Sequence, residues 1–480
     1  MARPTVEDTI AAIATAPGVG GIGIVRISGP EAESILQSLF RRHRRSDSGT
    51  EQRAEQPDFL SHRLYYGTVV NRQGAVLDEA MAVLMRAPQS YTREDVVEIQ
   101  SHGSYPVLQT VLSEVLAAGA RLAEPGEFTK RAFLAGRIDL TQAEAVIDLL
   151  QAQTSGSARL AMEHLQGSLY SQVNAIRDGL VEMLAVVEVA IDFPDDDVEI
   201  LETDRLLEQL QGQVQQPLRR LLALAEQGKI IREGVKVVIA GRPNVGKSSL
   251  LNSLLCEERA LVTDIPGTTR DTIEELISVR GIPVHLVDTA GIRDHDNAVE
   301  GLGIERARQK LEQADLVLFV VDAAHALTEL DRELYRSLGE KQRLIILNKC
   351  DIAEPEQLEA INAEFSREFA YMAGNAVQVQ IAAKAGQGID ALLDALYQVV
   401  VGTDEGLEEL SCAPNLRHTT ILQKALAACV QVEQTLVGQE PADLLAVDLQ
   451  AALDHLADIV GLTTPDDVLD AVFSTFCIGK

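Results

Sequence analysis

Apolar and polar positions follow three rhythms along this chain. Up to about residue 120 short apolar runs with strand character dominate. Ile22-Gly-Ile-Val-Arg-Ile27, Arg63-Leu-Tyr-Tyr-Gly-Thr-Val-Val70, Ala80-Met-Ala-Val-Leu-Met85 and Val96-Val-Glu-Ile-Gln100 each predict a strand, and residues 106–118 predict a helix. From about residue 126 apolar residues recur at helical spacing, over 143–153, 181–189 and 204–224. Ile191-Asp-Phe-Pro-Asp-Asp-Asp197 interrupts them with a proline inside an acidic run. Between about 230 and 400 strand and helix alternate, the pattern of a parallel sheet with crossover helices. After Leu410 the rhythm is helical again, over 416–437, 441–460 and 464–476, with Thr463 and Thr464 as capping candidates for the last helix. Helical segments flanking an α/β region fit one helical domain carrying an insertion, which is tolerated where chain ends lie close together. They also fit two separate helical hairpins.

The most specific chemistry lies where the α/β region begins. Lys236-Val-Val-Ile-Ala-Gly-Arg-Pro-Asn-Val-Gly-Lys-Ser-Ser249 is a strand running into Gly241-x-x-x-x-Gly246-Lys247-Ser248, with the helical pattern Ser249–Leu255 behind it. This is a phosphate-binding loop in the context it requires. Its glycines let backbone N–H groups of Asn244, Val245 and Gly246 close around phosphates at a helix N-terminus. Lys247 reaches the β- and γ-phosphates, and the Ser248 hydroxyl can ligate Mg²⁺.

Asn348-Lys349-Cys350-Asp351 follows the strand run Leu344–Leu347. The Asp351 carboxylate can accept two hydrogen bonds from guanine N1–H and N2–H₂. Adenine would leave that carboxylate unpaired, so the nucleotide is GTP. Asp288-Thr289-Ala290-Gly291 ends another strand, placing Asp288 to hold Mg²⁺ through water and the Gly291 N–H toward the γ-phosphate. Of Thr268 and Thr269, one is placed to close on Mg²⁺ when the γ-phosphate is present. Where a Ras-like enzyme carries a water-orienting Gln, this chain has Ile292. Glu300, downstream in Arg293-Asp-His-Asp-Asn-Ala-Val-Glu300, is either a replacement for that Gln or a solvated loop carboxylate.

Composition narrows the setting. The 480 residues suffice for three ordinary domains, and 46% hydrophobic content with 4% aromatics and no Trp suggests aliphatic, helix-rich cores. No run of about 18 apolar residues predicts a membrane span. The N-terminal residues lack a signal peptide's layout. Five scattered cysteines without metal-ligand spacing fit a reducing cytoplasm, with Cys256, Cys350, Cys412 and Cys429 read as ordinary small residues. A net charge of −30 repels nucleic acid over much of the surface, leaving contact through a local basic patch or a basic partner. Arg41-Arg-His-Arg-Arg45 is the one dense basic run, and the Ser-Asp-Ser-Gly-Thr-Glu behind it marks it as a mobile loop rather than an RNA clamp.

Taken together, the chain resembles the tRNA modification GTPase MnmE (TrmE) family from residue 5 to its last residue. The resemblance is carried by Gly20-Gly-Ile-Gly-Ile-Val-Arg-Ile-Ser-Gly29, Glu94-Asp-Val-Val-Glu-Ile-Gln-Ser-His-Gly103, Pro125-Gly-Glu-Phe-Thr-Lys-Arg-Ala-Phe-Leu134, Ala190-Ile-Asp-Phe-Pro194, the GTPase motifs and the terminal Phe476-Cys-Ile-Gly-Lys480. It implies a multidomain α/β plus all-α fold in four segments. These are an N-terminal α+β folate-binding and dimerisation domain over 1–122, the first part of a helical domain over 123–228, an inserted Ras-like G domain over 229–402, and the second part of the helical domain over 403–480. It implies work with the FAD protein MnmG in a hetero-oligomer, on tRNA. The product is an aminomethyl or carboxymethylaminomethyl group at C5 of a wobble uridine, its carbon drawn from 5-formyl- or 5,10-methylene-tetrahydrofolate.

The same resemblance assigns residues. Folate contacts fall on Arg26, Glu98, Arg137 and Lys480, types suited to a pterin edge and a glutamate tail. Arg137 stands where the family often has Lys. Cys477 is placed beside the one-carbon unit. The resemblance implies activation by K⁺, held by Asn244 and by Thr263, Ile265 and Thr268 of the loop Thr263-Asp264-Ile265-Pro266-Gly267-Thr268-Thr269, where other GTPases place an arginine finger. It gives Mg²⁺ to Ser248 and Thr269, and the water-orienting role to Glu300. It adds Ser249 to the nucleotide contacts, and Ala382-Ala383-Lys384 as the purine loop, which keeps its backbone N–H while lacking the Ser common in relatives. The competing function is a non-modifying RNA- or ribosome-associated switch of the Era or Der type. Those proteins carry a basic RNA-binding domain, in place of the acidic helical region and Cys-Ile-Gly-Lys tail found here.

Overall fold

The computed structural model describes residues 8–43, 58–193, 202–258, 274–288, 311–368, 377–402 and 409–480. It divides into two compact units, one of residues 1–147 with 453–480 and one of residues 148–452. That cut differs from the four segments read from the sequence: residues 123–147 and 453–480 group with the N-terminal sheet.

The first unit is built on a seven-stranded sheet of β1 (Ile10–Ile13), β2 (Gly20–Ser28), β3 (Phe40–Arg42), β4 (Arg63–Val70), β5 (Val76–Met85), β6 (Val96–Gly103) and β7 (Arg121–Leu122), in the spatial order β3-β4-β5-β6-β2-β1-β7. All neighbours are antiparallel except β1 and β7. Alternation decides the faces. Val25 and Ile27 of β2, Ala82 and Leu84 of β5, and Val97 and Ile99 of β6 are buried against helices Ala32–Leu39 and Tyr105–Ala117. Arg26 and Glu98, one residue out of phase, occupy the opposite face directly across from each other. Four strands match the sequence reading. The short strands β1, β3 and β7 and the helix Ala32–Leu39 were not read from it, and β3 corrects the assignment of Arg41 and Arg42 to a loop. Arg44 and Arg45 lie outside the described residues.

The same unit contains helix Glu127–Leu134 and the final helix Asp466–Ser474. They close a small core of Phe133, Leu140, Leu469, Phe473 and Phe476. Neither Thr463 nor Thr464 caps that last helix. Pro465 occupies the N-cap, and the two hydroxyls bond back to Asp458, at its Oδ1 (2.8 Å) and its main-chain O (3.1 Å). The sequence GlyLeuThrThrPro leaves both threonines in the turn before proline, within reach of the preceding helix's last carboxylate.

In the second unit helix Ser168–Asp192 buries Leu169, Val173, Ile176, Leu180, Met183 and Val187. Their spacing alternates between three and four residues, the stripe expected of a bundle helix. The helix expected over 204–224 is instead Thr203–Gln209, a π-turn at Leu210–Gln215, and Gln216–Glu233. Pro217 supplies no N–H to the preceding turn, which is wider there. Helix Leu416–Val437 begins and ends where the sequence places it.

The α/β part of this unit is a six-stranded sheet of β8 (Val235–Ala240), β9 (Glu274–Val279), β10 (Ile282–Asp288), β11 (Leu316–Asp322), β12 (Arg343–Asn348) and β13 (Gln378–Gln380), in the order β13-β12-β11-β8-β10-β9. Only β9 runs antiparallel. Strands β8, β11 and β12 are apolar throughout their centres because helices cover both faces. Among the described residues no helix is long and apolar enough to cross a membrane.

Candidate functional sites

The carboxyl ends of β8, β11 and β12 converge, as ligand sites in open α/β sheets do. After β8 the chain turns through residues 241–246 into helix Lys247–Glu258. Gly246 has φ of +99°, and a Cβ there would lie 2.2 Å from the Asn348 amide nitrogen, so only glycine fits. Asn244 also takes a left-handed conformation, with φ of 67°, which Asn tolerates better than most residues. The Lys247 ammonium lies over the loop, donating to the carbonyls of Gly241 and Arg242 at 3.0 Å each.

Asn348, at the end of β12, organises the surrounding loops. Its buried amide donates to Val245 O at 2.8 Å and accepts from Ala383 N at 3.0 Å. It thereby ties the phosphate loop to the purine loop. Lys349 adds a second tie, donating to Asn244 O at 2.9 Å and to Asp322 Oδ2 at 2.7 Å. Burial by itself would raise the Asp322 carboxyl. The bonds from Lys349 and from Ala324 N outweigh it and hold the group below the usual carboxylate range. Asp322 was not selected from the sequence, although its place at the end of the apolar run Leu316–Val321 was a readable signal. Asp351 is exposed beyond this frame, free to meet a base edge, and Ser248, Ser249 and Lys384 are also exposed. Ala382 and Ala383 are buried. Asp288 ends β10. Thr263, Asp264, Ile265, Pro266, Gly267, Thr268, Thr269, Thr289, Ala290, Gly291 and Glu300 lie outside the described residues. Among the described residues no cluster of three or more His, Cys, Asp or Glu could hold a metal ion.

In the first unit the four residues assigned to folate fall on one neighbourhood. Arg26 donates from Nε to Glu98 Oε1 at 2.9 Å, and from a terminal nitrogen to Gly479 O at 3.3 Å. Its guanidinium carbon is 5.7 Å from the Phe128 ring and 6.0 Å from the Tyr91 ring. Arg137 covers the same Tyr91 ring at 4.7 Å and donates to Tyr91 O at 3.1 Å. The chain terminus is docked here: Lys480 O accepts from Phe128 N at 3.2 Å, and Ile478 forms a bridge with Pro125. Gly479 has φ of +97°, and a Cβ would meet Ile13 O at 2.3 Å. The terminal Cys-Ile-Gly-Lys is therefore fitted backbone to backbone. Cys477 is exposed, and its carbonyl accepts from Gly126 N at 3.4 Å. Tyr91 and Phe128 were not singled out from the sequence, because nothing in spacing marks an aromatic residue as a platform. A guanidinium, a carboxylate and aromatic faces together form a donor set that fits a pterin with an anionic tail.

Comparisons with known proteins identify the family. A model of the MnmE helical domain matches residues 140–477, and one of the GTP-binding protein TrmE N-terminus matches residues 9–137. The tRNA modification GTPase MnmE of Desulfotalea psychrophila is 49% identical over 99% of this chain and 98% of its own length. The chain belongs to the MnmE (TrmE) family. Family members of the same description from Geobacter sulfurreducens and Carboxydothermus hydrogenoformans are 46% and 44% identical, each over 99% of this chain and 100% of their own. Among solved structures, Era from Aquifex aeolicus in a GDP–aluminium fluoride complex matches 42% of this chain and 66% of its own, at 26% identity and a TM-score of 0.28. Family membership establishes the multidomain fold and makes the chain a GTP hydrolase.

The motif predicts that one carboxylate, that of Asp351, selects the base. Asp351→Asn is expected to weaken GTP binding by roughly 10- to 100-fold, the worth of a charge-assisted hydrogen bond. It should also shift preference toward xanthine nucleotides, whose C2 carbonyl can accept from the new amide. Equal GTP affinity of variant and parent in a nucleotide titration would remove Asp351 from the site.

Proposed function

We propose that this chain, acting in the cytoplasm as a homodimer through its N-terminal domain, hydrolyses GTP while it modifies tRNA with the FAD protein MnmG. The product is an aminomethyl or carboxymethylaminomethyl group at C5 of the wobble uridine of certain tRNAs. The single observation that carries this reading is the docking of the Cys-Ile-Gly-Lys tail beside Arg26 and Glu98 in a chain whose guanine-nucleotide loops are intact. An RNA- or ribosome-associated switch of the Era or Der type has no use for the first feature.

In this reading Lys247 and the backbone of Asn244–Gly246 hold the phosphates, Asp351 and the purine loop select guanine, and Glu300 orients the attacking water that Ile292 cannot. Ser248 and Thr269 would hold Mg²⁺, while Asn244 with Thr263, Ile265 and Thr268 would hold K⁺. Ions held there would supply positive charge against the phosphate oxygens. Glu98 and Arg26 would address the pterin edge, with Arg137 and Lys480 on the anionic tail and Cys477 beside the one-carbon unit. A 5-formyl- or 5,10-methylene-tetrahydrofolate bound there supplies the carbon. The Gly479 carbonyl and the Phe128 ring fix the position of the Arg26 guanidinium beside them.

The test uses the ion. GTP turnover by the full-length chain should be faster in K⁺ than in Na⁺, by about tenfold or more, the scale of losing one charge-stabilising group. Asn244→Ala should remove the difference. Equal rates in the two salts would contradict the reading.

A further inference from the structure

The densest basic run of the chain has no place in either site. In the structure its first half is an edge. β3 stands at the outer end of its sheet, with Arg41 opposite Thr68, Arg42 opposite Gly67, and His43 N bonded to Tyr66 O at 3.1 Å. Arg41 donates from one terminal guanidinium nitrogen to Gln37 O and Phe40 O at 3.0 and 3.2 Å, so its head is held at the end of helix Ala32–Leu39 with its other N–H groups left over. The guanidinium of Arg42 lies 4.5 Å from the Tyr65 ring centre, and that of Arg63 lies 5.7 Å from the same ring. Tyr65 is buried, and its hydroxyl accepts from Leu60 N at 2.9 Å, so the platform under both cations is fixed. On the other face of the same edge, the alternate positions bring the His43 ring to 5.2 Å from the Tyr66 ring. Tyr66 is 54% exposed, with its hydroxyl anchored on Glu79.

Charge makes this edge unusual. The chain has 72 acidic residues against 42 Lys and Arg, so carboxylates are abundant. Yet among the described residues Arg41, Arg42, Arg63 and His43 form no ion pair with any of them. Two guanidiniums held on one ring repel each other, and their field is left for an external polyanion. An acidic protein surface would answer the charge alone. The exposed His43–Tyr66 pair, on the other face of the same edge, offers an aromatic face as well, so a single strand passing around the edge can stack an unpaired base there while its neighbouring phosphates meet the arginines.

We propose that the β3–β4 edge is a tRNA-contact surface, with Arg41, Arg42 and Arg63 on backbone phosphates and the His43–Tyr66 pair against an unstacked base. This rests on tRNA being the substrate and adds where the chain touches it.

The test is fluorescence anisotropy of a labelled, unmodified transcript of a wobble-uridine tRNA with the full-length chain, titrated across salt concentrations. Arg42→Glu/Arg63→Glu should lower affinity about tenfold or more near 0.1 M salt. It should also reduce the magnitude of the slope of log K against log salt by about one to two, the mark of lost phosphate contacts. Arg42→Lys/Arg63→Lys should keep the slope, and both variants should keep parental K⁺-dependent GTP turnover. Unchanged affinity and slope in the glutamate variant would overturn the proposal. So would equal losses in the lysine variant, which would assign the effect to packing on Tyr65, or loss of MnmG binding with tRNA affinity intact, which would assign the edge to a protein partner. Whether the parent restores modified uridine in vivo is read separately by nucleoside analysis, so the substrate assignment and this surface can fail independently.

Discussion

Deleting residues 477–480 is expected to abolish wobble-uridine modification while leaving K⁺-stimulated GTP hydrolysis intact. The deletion removes the Gly479 carbonyl from Arg26, the Lys480 carbonyl from Phe128 N, and the Ile478 bridge to Pro125. It also removes the Lys480 ammonium and the Cys477 thiol. All of these contacts lie within the first unit, whereas the nucleotide loops belong to the second. Arg26 would keep Glu98 but lose the partner that fixes its third direction. Two finer changes separate backbone from chemistry. Cys477→Ser keeps the docked backbone and loses only the thiol, so it should fail in modification with folate binding preserved. Gly479→Ala, which has no room beside Ile13 O, should lose folate binding as well. Full modification by the truncated chain would show the tail to be a frayed end.

The second large effect is on stability. Arg131→Met should destabilise the first unit by about 1–3 kcal/mol, the cost of leaving hydrogen-bonded polar groups without a buried partner when the carboxylates keep partial access to water. The Arg131 side chain is 2% exposed. It donates to Asp8 O and Oδ1 at 2.9 and 2.7 Å, to Glu127 Oε1 at 2.9 Å, and to Glu94 Oε1 at 3.2 Å. Glu94 in turn accepts from Ser28, so the substitution strands a carboxylate network and not a single pair. Burial alone would raise the Asp8 and Glu127 carboxyls. The guanidinium bonds from Arg121 and Arg131, with the Glu124 N–H on Glu127, overcome it and hold both below their ordinary values. A carboxyl depressed in the folded state stabilises it above its unfolded pKa, and that contribution fades as pH falls through the folded value. The parent should therefore lose stability on acidification below about pH 4.5, and the variant should show a shallower dependence. Hydrogen exchange across helix Glu127–Leu134 reads this unit separately from the rest of the chain. Unchanged protection in the variant would contradict the account.

Much of this was legible in the sequence, and the exceptions have physical causes. The phosphate loop is readable because its glycines answer a local steric demand. Gly246 has no room for a Cβ, and that requirement travels with the motif wherever it occurs. Strands β4 and β6 and helix Leu416–Val437 are readable because alternation or a long stripe marks one buried face. Strand β3 is not, because three residues carry no period, and its charges suggest solvent. What holds it is pairing with β4, a long-range fact. The helix over 204–224 was readable in kind but not in its π-turn, which depends on Pro217 and on Gln215 reaching Glu433 from 218 positions away. Thr463 and Thr464 have the right chemistry for caps, but Asp458 offered them nearer partners. Around Arg26, Glu98, Arg137 and Lys480 the charged residues came from resemblance alone. The structure adds what neither motif nor resemblance named, the rings of Tyr91 and Phe128 against which Arg26 and Arg137 lie.

The measurement that bears most directly on function is nucleoside chromatography of bulk tRNA from a strain lacking its own copy of this gene, complemented with the full-length chain. The account predicts that the C5-modified wobble uridine returns with the parent chain. It should stay absent with Lys247→Ala, which removes the ammonium proposed to bind the phosphates, and with Glu98→Gln, which removes the carboxylate proposed to face the pterin. Failure of the parent to restore the nucleoside beside a functional MnmG, or full restoration by either variant, would contradict it.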